Sequence, residues 1–177
     1  SMRDGGAAYP CGATATGTYQ FRVWNVPPPQ EFSIAVGDIV SDGVPGAGAG
    51  RIESPGVRDV YTFEATPGQV VYVDLQQQSG VSTIDWRLTD AAGTEIFDGC
   101  LGCTEPGVRT LGLGGTYTLE VGEDTNTQTG TYRFQLWDVP PLQQFAIAVG
   151  EVVSDGVPGP GAGRIETPGV RDVYTFE

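Results

Sequence analysis

The sequence contains no histidine and no lysine, and only one methionine. The sequence has nine arginines and 22 aspartates and glutamates, which gives a formal net charge of −13. Phosphate binding needs clustered cations, so this balance argues against a nucleic-acid partner and against docking on anionic membranes. Without histidine, Ser-His-Asp and Cys-His catalysis and most zinc sites are excluded. No apolar run reaches the ~18 residues of a membrane span, so no membrane insertion is predicted.

Glycine and proline are abundant, with 27 and 13 residues, and they are spread along the chain. Between them lie short segments of alternating apolar and polar residues, such as residues 59–64, 69–75, 83–88 and 115–121. In residues 83–88 the alternation places Ile84, Trp86 and Leu88 on one face. About eight short strands separated by turns predict an all-β, jelly-roll-like antiparallel β-sandwich. Residues 32–36 are its predicted first strand.

The three cysteines allow a structural or a redox interpretation. Cys100 and Cys103 form a CxxC among turn residues, whereas redox CxxC motifs normally open a helix. A single CxxC without histidine cannot supply four zinc ligands. The context favours a local disulfide between Cys100 and Cys103 over a redox role. Cys11 is left over, and its partner is expected outside this sequence.

Two long stretches of the sequence are nearly identical. Residues 17–64 and residues 130–177 differ at 11 of 48 positions, and matched residues such as Trp24 and Trp137 are 113 apart. The period is a whole domain per repeat rather than a solenoid unit. Near-identical domains suit a surface protein that gains length by duplication. They suit an enzyme poorly, because one active site seldom needs copies of itself.

The repeat predicts three parts of the chain. Residues 1–30 are the closing strands of a preceding repeat, residues 31–139 are a complete module, and residues 140–177 are the opening strands of the next. Proline-rich residues 26–29 and 139–141 mark the joints as semi-rigid linkers. We expect the chain to be a fragment of a longer protein. Its incomplete ends carry unpaired strand edges, so they should pack on the central module or pair with neighbouring molecules.

Five short motifs follow one another within the central module. They are Asp59-x-Tyr61-x-Phe63, Pro67-Gly68-Gln69-x-Val71, Leu88-Thr89-Asp90-x-x-Gly93, Thr116-Tyr117-x-Leu119-x-Val121 and Thr129-Gly130-Thr131-Tyr132-x-Phe134. In this order they resemble the bacterial pre-peptidase C-terminal domain over about residues 31–138. The resemblance implies an exported jelly-roll module that is appended to secreted proteins. The loop with Pro45 and Pro55 is longer than in that family, and no peptidase domain is visible, so no peptidase partner is implied.

The resemblance also suggests a calcium site, because relatives of this fold include calcium-holding, collagen-binding modules. Three acidic residues flank the glycine-rich loop and recur 113 residues later. Calcium takes six to eight oxygen ligands, which a loop can supply from carboxylates and backbone carbonyls. The alternative is that these residues cap turns, face solvent or hydrogen-bond locally. The candidate ligands are Asp42, Glu53, Asp59, Asp155, Glu166 and Asp172.

Three functions compete at this point. The repeat favours a structural spacer or adhesin stalk of a secreted or cell-surface protein, with neighbouring repeats as its partners. The resemblance favours a module that binds carbohydrate or matrix protein. Trp24 and Trp137 point away from the side of Val23 and Leu136, so they either pack at a module joint or stack on a ligand. An enzyme would need a carboxylate pair such as Asp85 and Asp98, which no sequence feature singles out. No catalytic residue and no enzyme activity are predicted.

Overall fold

The computed structural model describes residues 17–81, 83–103, 105–122 and 127–176, and in these residues the regular structure is β throughout. The all-β prediction is confirmed. None of the described residues forms a helix that could cross a membrane. The strands of the described chain are β1 (Gln30–Ser33), β2 (Ile39–Val40), β3 (Arg51–Ile52), β4 (Asp59–Ala65), β5 (Gln69–Ser79), β6 (Asp85–Thr89), β7 (Glu95–Cys100), β8 (Gly107–Leu111), β9 (Gly115–Val121), β10 (Gly130–Asp138), β11 (Gln143–Ala146) and β12 (Asp172–Thr175).

The strands from β1 to β10 form two sheets. The first sheet has the order β1-β4-β9-β6-β7, and the second has the order β2-β10-β5-β8 with β3 also paired to β10. Most neighbours are antiparallel, but β1 runs parallel to β4. The antiparallel prediction is therefore wrong for this pair. The chain leaves β1, contributes β2 and β3 to the second sheet, and then enters the first sheet again in the original direction as β4.

The two sheets pack face to face through aromatic side chains. Tyr61 of β4 and Phe134 of β10 meet edge to face with ring centroids 5.3 Å apart, and Trp86 of β6 lies 6.4 Å from the same Phe134 ring. Ile84, Trp86 and Leu88 are all buried, as the alternation predicted. Aromatic packing of this kind buries large apolar areas and fixes ring geometry. The β-sandwich prediction is confirmed.

Strand boundaries differ from the predicted ones by a few residues. The predicted first strand, residues 32–36, begins earlier in the structure, at Gln30, and ends at Ser33. The last contact of this ladder is the Ile34 N–H donating to the Thr62 carbonyl at 2.9 Å. After it the chain turns at Gly37, whose φ of 104° favours glycine. Because apolar residues still alternate up to this turn, the sequence pattern predicted a strand that ends later than β1 does.

The local structure of the first sheet's edge recurs near the end of the chain. In the β1–β4 pair Gln30 stands opposite Asp59, and in the β11–β12 pair Gln143 stands opposite Asp172, with the same parallel register. Both loops that follow also contain one isolated bridge, Ser41 with Val44 and Ser154 with Val157. Nearly identical sequences thus adopt the same local conformation in two places.

A substitution at Leu88 tests the assignment of the hydrophobic core. Leu88 is fully buried on β6, so Leu88→Ala removes apolar contacts from the core and leaves a cavity. We expect a loss of about 2–5 kcal/mol in the free energy of unfolding, measured by urea denaturation. The control is Leu113→Ala at an exposed position, which should change it by less than about 0.5 kcal/mol. Equal effects of the two substitutions would contradict the assigned core.

Candidate functional site

The glycine-rich loop between β2 and β3 is closed by its own backbone. Gly43 N–H donates to the Ala49 carbonyl at 2.8 Å, and Ala49 N–H donates to the Gly46 carbonyl at 3.0 Å. Gly50 has a φ of 69°, and a Cβ there would lie 2.3 Å from the carbonyl carbon of Ser41. No side chain fits such an approach, so the tight crossing requires glycine. The same crowding recurs at Gly163, against Ser154.

A buried carboxyl group lies beneath this loop. Asp59 begins β4 and is completely buried. Its Oδ2 accepts a hydrogen bond from the Tyr132 hydroxyl and lies 3.2 Å from the Tyr61 hydroxyl, and the two hydroxyls are 2.7 Å apart. The backbone N–H of Gly50 donates to the Tyr61 hydroxyl at 2.9 Å. Asp59, Tyr61, Tyr132 and the Gly50 amide together are called the Asp59 cluster below.

Burial dominates the electrostatics of the Asp59 cluster. Desolvation raises the pKa of Asp59 to about 7, although the hydrogen bonds from Tyr132 and Tyr61 act in the opposite direction. Desolvation likewise raises the pKa of both tyrosines, so their hydroxyls stay protonated and act as donors. The Oδ1 atom of Asp59 is buried without a hydrogen-bond partner. The arrangement holds a proton inside the core near neutral pH.

The six predicted calcium ligands have different surroundings. Asp42 binds Arg51 through two hydrogen bonds, and this contact lowers the pKa of Asp42. Glu53 accepts a hydrogen bond from Gln30 at 3.1 Å, while Asp59 faces the core. Within the described ranges, no group of three or more acidic, cysteine or histidine side chains gathers closely enough to hold a metal ion.

The second set of predicted ligands, Asp155, Glu166 and Asp172, also consists of residues with different surroundings. Asp155 lies 3.8 Å from Arg164, and Asp172 accepts a hydrogen bond from the Tyr174 hydroxyl at 3.0 Å. Glu166 is exposed. Tyr174 also accepts from the Gly163 amide at 2.7 Å, which repeats the contact between Gly50 and Tyr61. The calcium assignment of these residues stays a prediction.

The structure contains the Cys100–Cys103 disulfide at the end of β7, with the Cα atoms 5.4 Å apart. The short loop that it closes inserts Leu101 completely into the core, and the Leu101 amide donates to the Ile84 carbonyl at 2.6 Å. The disulfide therefore anchors a core residue, which fits the structural interpretation of the CxxC. Cys11 lies outside the described residues.

The outer face of the second sheet carries a row of apolar side chains. Trp137 of β10, Tyr72 of β5 and Val108 of β8 are register partners across three neighbouring strands. The indole N–H of Trp137 donates to Asp74 at 3.0 Å, and Leu136 beside it is buried, so Trp137 points outward as predicted. Trp24 is 44% exposed, with the Arg22 guanidinium 4.0 Å above its ring.

A glycine of the last segment covers part of this row. A Cβ added at Gly169 would lie 3.0 Å from Val108, 3.1 Å from Val139 and 3.2 Å from Tyr72. Gly169 therefore sits directly against the outer face of the second sheet. We call this contact of Gly169 with Tyr72, Val108 and Val139 the joint.

The hypothetical carboxylate pair lies on neighbouring strands. Asp85 of β6 is the register partner of Cys100, and Asp98 of β7 is the register partner of Arg87. Asp98 is exposed and Asp85 is half-buried.

Sequence reasoning did not assign Tyr132 to the candidate site. It assigned Asp59 to a calcium site or, alternatively, to a local hydrogen bond at the start of a strand. A signal was present, because residues two apart on a strand share a face. Asp59 must therefore point to the same side as Tyr61 and Phe63, which is the core.

Comparisons with known proteins give a likeness of fold. No family model matches the chain, and no curated protein matches it. Among solved structures, the chain is similar to the pre-peptidase C-terminal domain of a collagenase from Bacillus anthracis, with 16% identity, a TM-score of 0.47, and coverage of 63% of this chain and 99% of that chain. It is also similar to the periplasmic lysozyme inhibitor PliG of Salmonella Typhimurium, with 19% identity, a TM-score of 0.40, and coverage of 60% and 98%. The first of these structures is a domain of the family that the sequence motifs resemble.

The Asp59 cluster makes stability depend on pH. The pKa of Asp59 is raised in the folded state, so between pH ~4 and ~7 the folded chain holds a proton that the unfolded chain has released. This contribution is present at low pH and is lost as pH rises through about 7, with a slope of up to ~1.4 kcal/mol per pH unit. Asp59→Asn should remove that slope in urea denaturation measured across this range. Asp98→Asn, at an exposed carboxylate, should preserve it; the same slope in Asp59→Asn would contradict the assignment.

Proposed function

We propose that the chain is a non-catalytic repeat module of an exported bacterial protein, where it acts as a spacer or adhesin stalk. The observation that carries this proposal is the joint. The β11–β12 pair of residues 143–176 repeats the register of the β1–β4 pair, and Gly169 in this segment packs on the outer face of the module that precedes it. A stalk needs such a fixed contact between successive copies.

The contacts at the joint are apolar and small. Gly169 has a φ of 86° and no side chain, so the loop approaches Tyr72 and Val108 closely. Val139 belongs to the proline-rich linker, where prolines restrict the backbone and reduce the conformational freedom between copies. The linker and the joint together favour one orientation of successive modules over free tumbling. Tandem repetition with a period of 113 residues would then extend the protein stepwise.

Export is part of the proposal because of the Cys100–Cys103 disulfide. Disulfides persist in oxidising compartments such as the periplasm and the cell exterior. The net charge of −13 keeps such a chain soluble and discourages nonspecific contact with anionic surfaces.

A binding module is the second candidate, and the amide side chains on the outer face favour it. A groove of about 500 Å³ is lined by Gln76, Gln77 and Gln78 of β5 and by Glu105. Nearby, Gln76 bonds both Gln135 and Arg133, at 3.1 and 2.7 Å. Amide and carboxylate groups can bind sugar hydroxyls or a matrix peptide. Pull-down with glycans and with collagen distinguishes this candidate from a spacer, which should retain neither.

The joint can be tested with a charge on its module side. Val108→Asp places a carboxylate against Gly169 and Val139, where it loses water on closure, so the joint should open. Small-angle scattering of the variant should give a larger radius of gyration, and proteases should cut residues 140–171 faster. The control Leu113→Asp adds the same charge at another exposed apolar position. An unchanged radius in Val108→Asp would contradict the joint and with it the stalk.

Calcium is tested by a thermal melt in excess calcium and in excess EDTA. A ligand that binds only the folded chain raises the melting temperature by mass action. Because Asp42 is bound to Arg51 and Asp59 is buried, we expect a rise only if calcium displaces Arg51. Arg51→Gln removes the cation that binds Asp42, so it should increase a calcium-dependent rise. No rise in either protein would exclude the loop as a calcium site and leave the joint to stiffen the protein.

A further inference from the structure

The outer face of the second sheet carries a connected network of polar side chains. The Nε of Arg133 donates to Oε1 of Gln76 at 2.7 Å. The Nε2 of Gln76 in turn donates to Gln135 Oε1 and to Asp74 Oδ2, each at 3.1 Å. The indole N–H of Trp137 donates to the same Asp74 oxygen at 3.0 Å. The side chains of Arg133, Gln76, Gln135, Asp74 and Trp137 are together called the outer strip below.

The outer strip is held in place by its own contacts. Gln135 is only 7% exposed, and its Nε2 donates to the Gly37 carbonyl at 2.9 Å. Gln76 is exposed, yet hydrogen bonds fix both ends of its amide group. Side chains that are already ordered lose little conformational freedom when a ligand binds. The outer strip therefore presents donors and acceptors to solvent in a fixed arrangement.

Trp137 adds a flat apolar surface to the outer strip. Gly169 lies against Tyr72 and Val108, and with this joint closed the indole of Trp137 is still half-exposed. An aromatic ring beside amide and carboxylate groups matches the two kinds of surface on a sugar ring. The C–H groups of the sugar pack on the aromatic face, and its hydroxyl groups bind the polar side chains.

The groove of about 500 Å³ continues the outer strip, because Gln76 belongs to both. Gln78 and Glu105 also line this groove, which lies between β5 and the loop that follows β7. In the part of the chain that the structure describes, Oε1 of Gln78 is buried and has no hydrogen-bond partner. A buried acceptor without a donor is unfavourable. The groove therefore favours a ligand that brings hydroxyl donors.

The charges of the outer strip and the groove select among such ligands. Two carboxylates, Asp74 and Glu105, stand against the single guanidinium of Arg133. The whole chain carries a net charge of −13. This field repels sugars that carry carboxylate or sulfate groups, whereas uncharged sugars are unaffected.

We propose that the outer strip and the groove bind an uncharged polysaccharide. One sugar ring stacks on Trp137, its hydroxyl groups bind Asp74 and Gln76, and the neighbouring sugar units lie in the groove. Asp74 can accept from a hydroxyl while it holds Gln76 and Trp137, because a carboxylate has lone pairs on both oxygens. This ligand assignment rests on the binding-module candidate above, and it does not require the joint to open.

Native electrophoresis in gels that contain a soluble polysaccharide tests the ligand class. The net charge of −13 drives the chain through the gel, and binding to the polysaccharide slows it. The uncharged probes are hydroxyethyl cellulose, xyloglucan, galactomannan and soluble starch, and the anionic probe is alginate. At least one uncharged probe should retard the chain, and alginate should not. Retardation by alginate alone, or by none of the probes, would overturn the proposal.

Substitutions in the same gels locate the site. Trp137→Leu keeps an apolar side chain without the flat ring and should abolish the retardation, whereas Trp137→Phe keeps a ring and should retain part of it. Gln76→Ala, at an exposed position, should weaken the affinity about tenfold. The matched controls are Trp24→Leu and Gln144→Ala, at exposed positions outside the outer strip, and they should bind like the unsubstituted chain. Thermal melts of all variants show that the module is folded, and an unchanged affinity in Gln76→Ala would contradict the assignment.

A collagen pull-down separates the failure of this ligand class from the failure of the binding-module candidate. A chain that collagen retains and that no uncharged probe retards would keep the binding module and overturn the polysaccharide. A chain that binds neither would overturn both. The stalk is judged separately, by the radius of gyration of the Val108→Asp variant.

Discussion

The hydrogen bonds of Asp59 join parts of the fold that are far apart in the sequence. Asp59 and Tyr61 lie on β4 of the first sheet, whereas Tyr132 lies on β10 of the second. One carboxylate oxygen therefore connects the two sheets across the core, and the Gly50 amide fastens the loop to the same cluster. Because these groups are buried, no water replaces a partner that is lost. The placement of the loop and of both sheets depends on this cluster.

A buried carboxyl group is costly, and the surrounding packing offsets that cost. Phe32 stacks on Tyr61 with ring centroids 5.3 Å apart, and Phe134 packs against the edge of the same ring. The raised pKa of Asp59 keeps a proton on the cluster near neutral pH, which reduces the charge that the core must hold. The aromatic rings supply the apolar burial, and the hydroxyl groups fix which strands meet.

The sequence pattern predicted those features of the fold that depend on residues close together in the chain. Alternation identified Ile84, Trp86 and Leu88 as core residues, because a strand with one buried face repeats every second residue. It could not predict that β1 lies parallel to β4, since that pairing depends on the path of the chain through the other sheet. The acidic residues around the loop are close in sequence, but Asp42 turns to Arg51 and Asp59 turns inward. Closeness in the sequence therefore does not show whether acidic residues bind one common ion or make separate contacts.

The last strand of the module pairs with two of its early strands, because β10 completes the sheet edge that β2 and β3 begin. Such non-local pairing means that neither end of a module can bury its apolar face alone. Tyr19 and Tyr132 illustrate the consequence, since the same local sequence is 88% exposed in one place and 2% exposed in the other. Burial in this fold is a property of the completed strand pairing rather than of the segment.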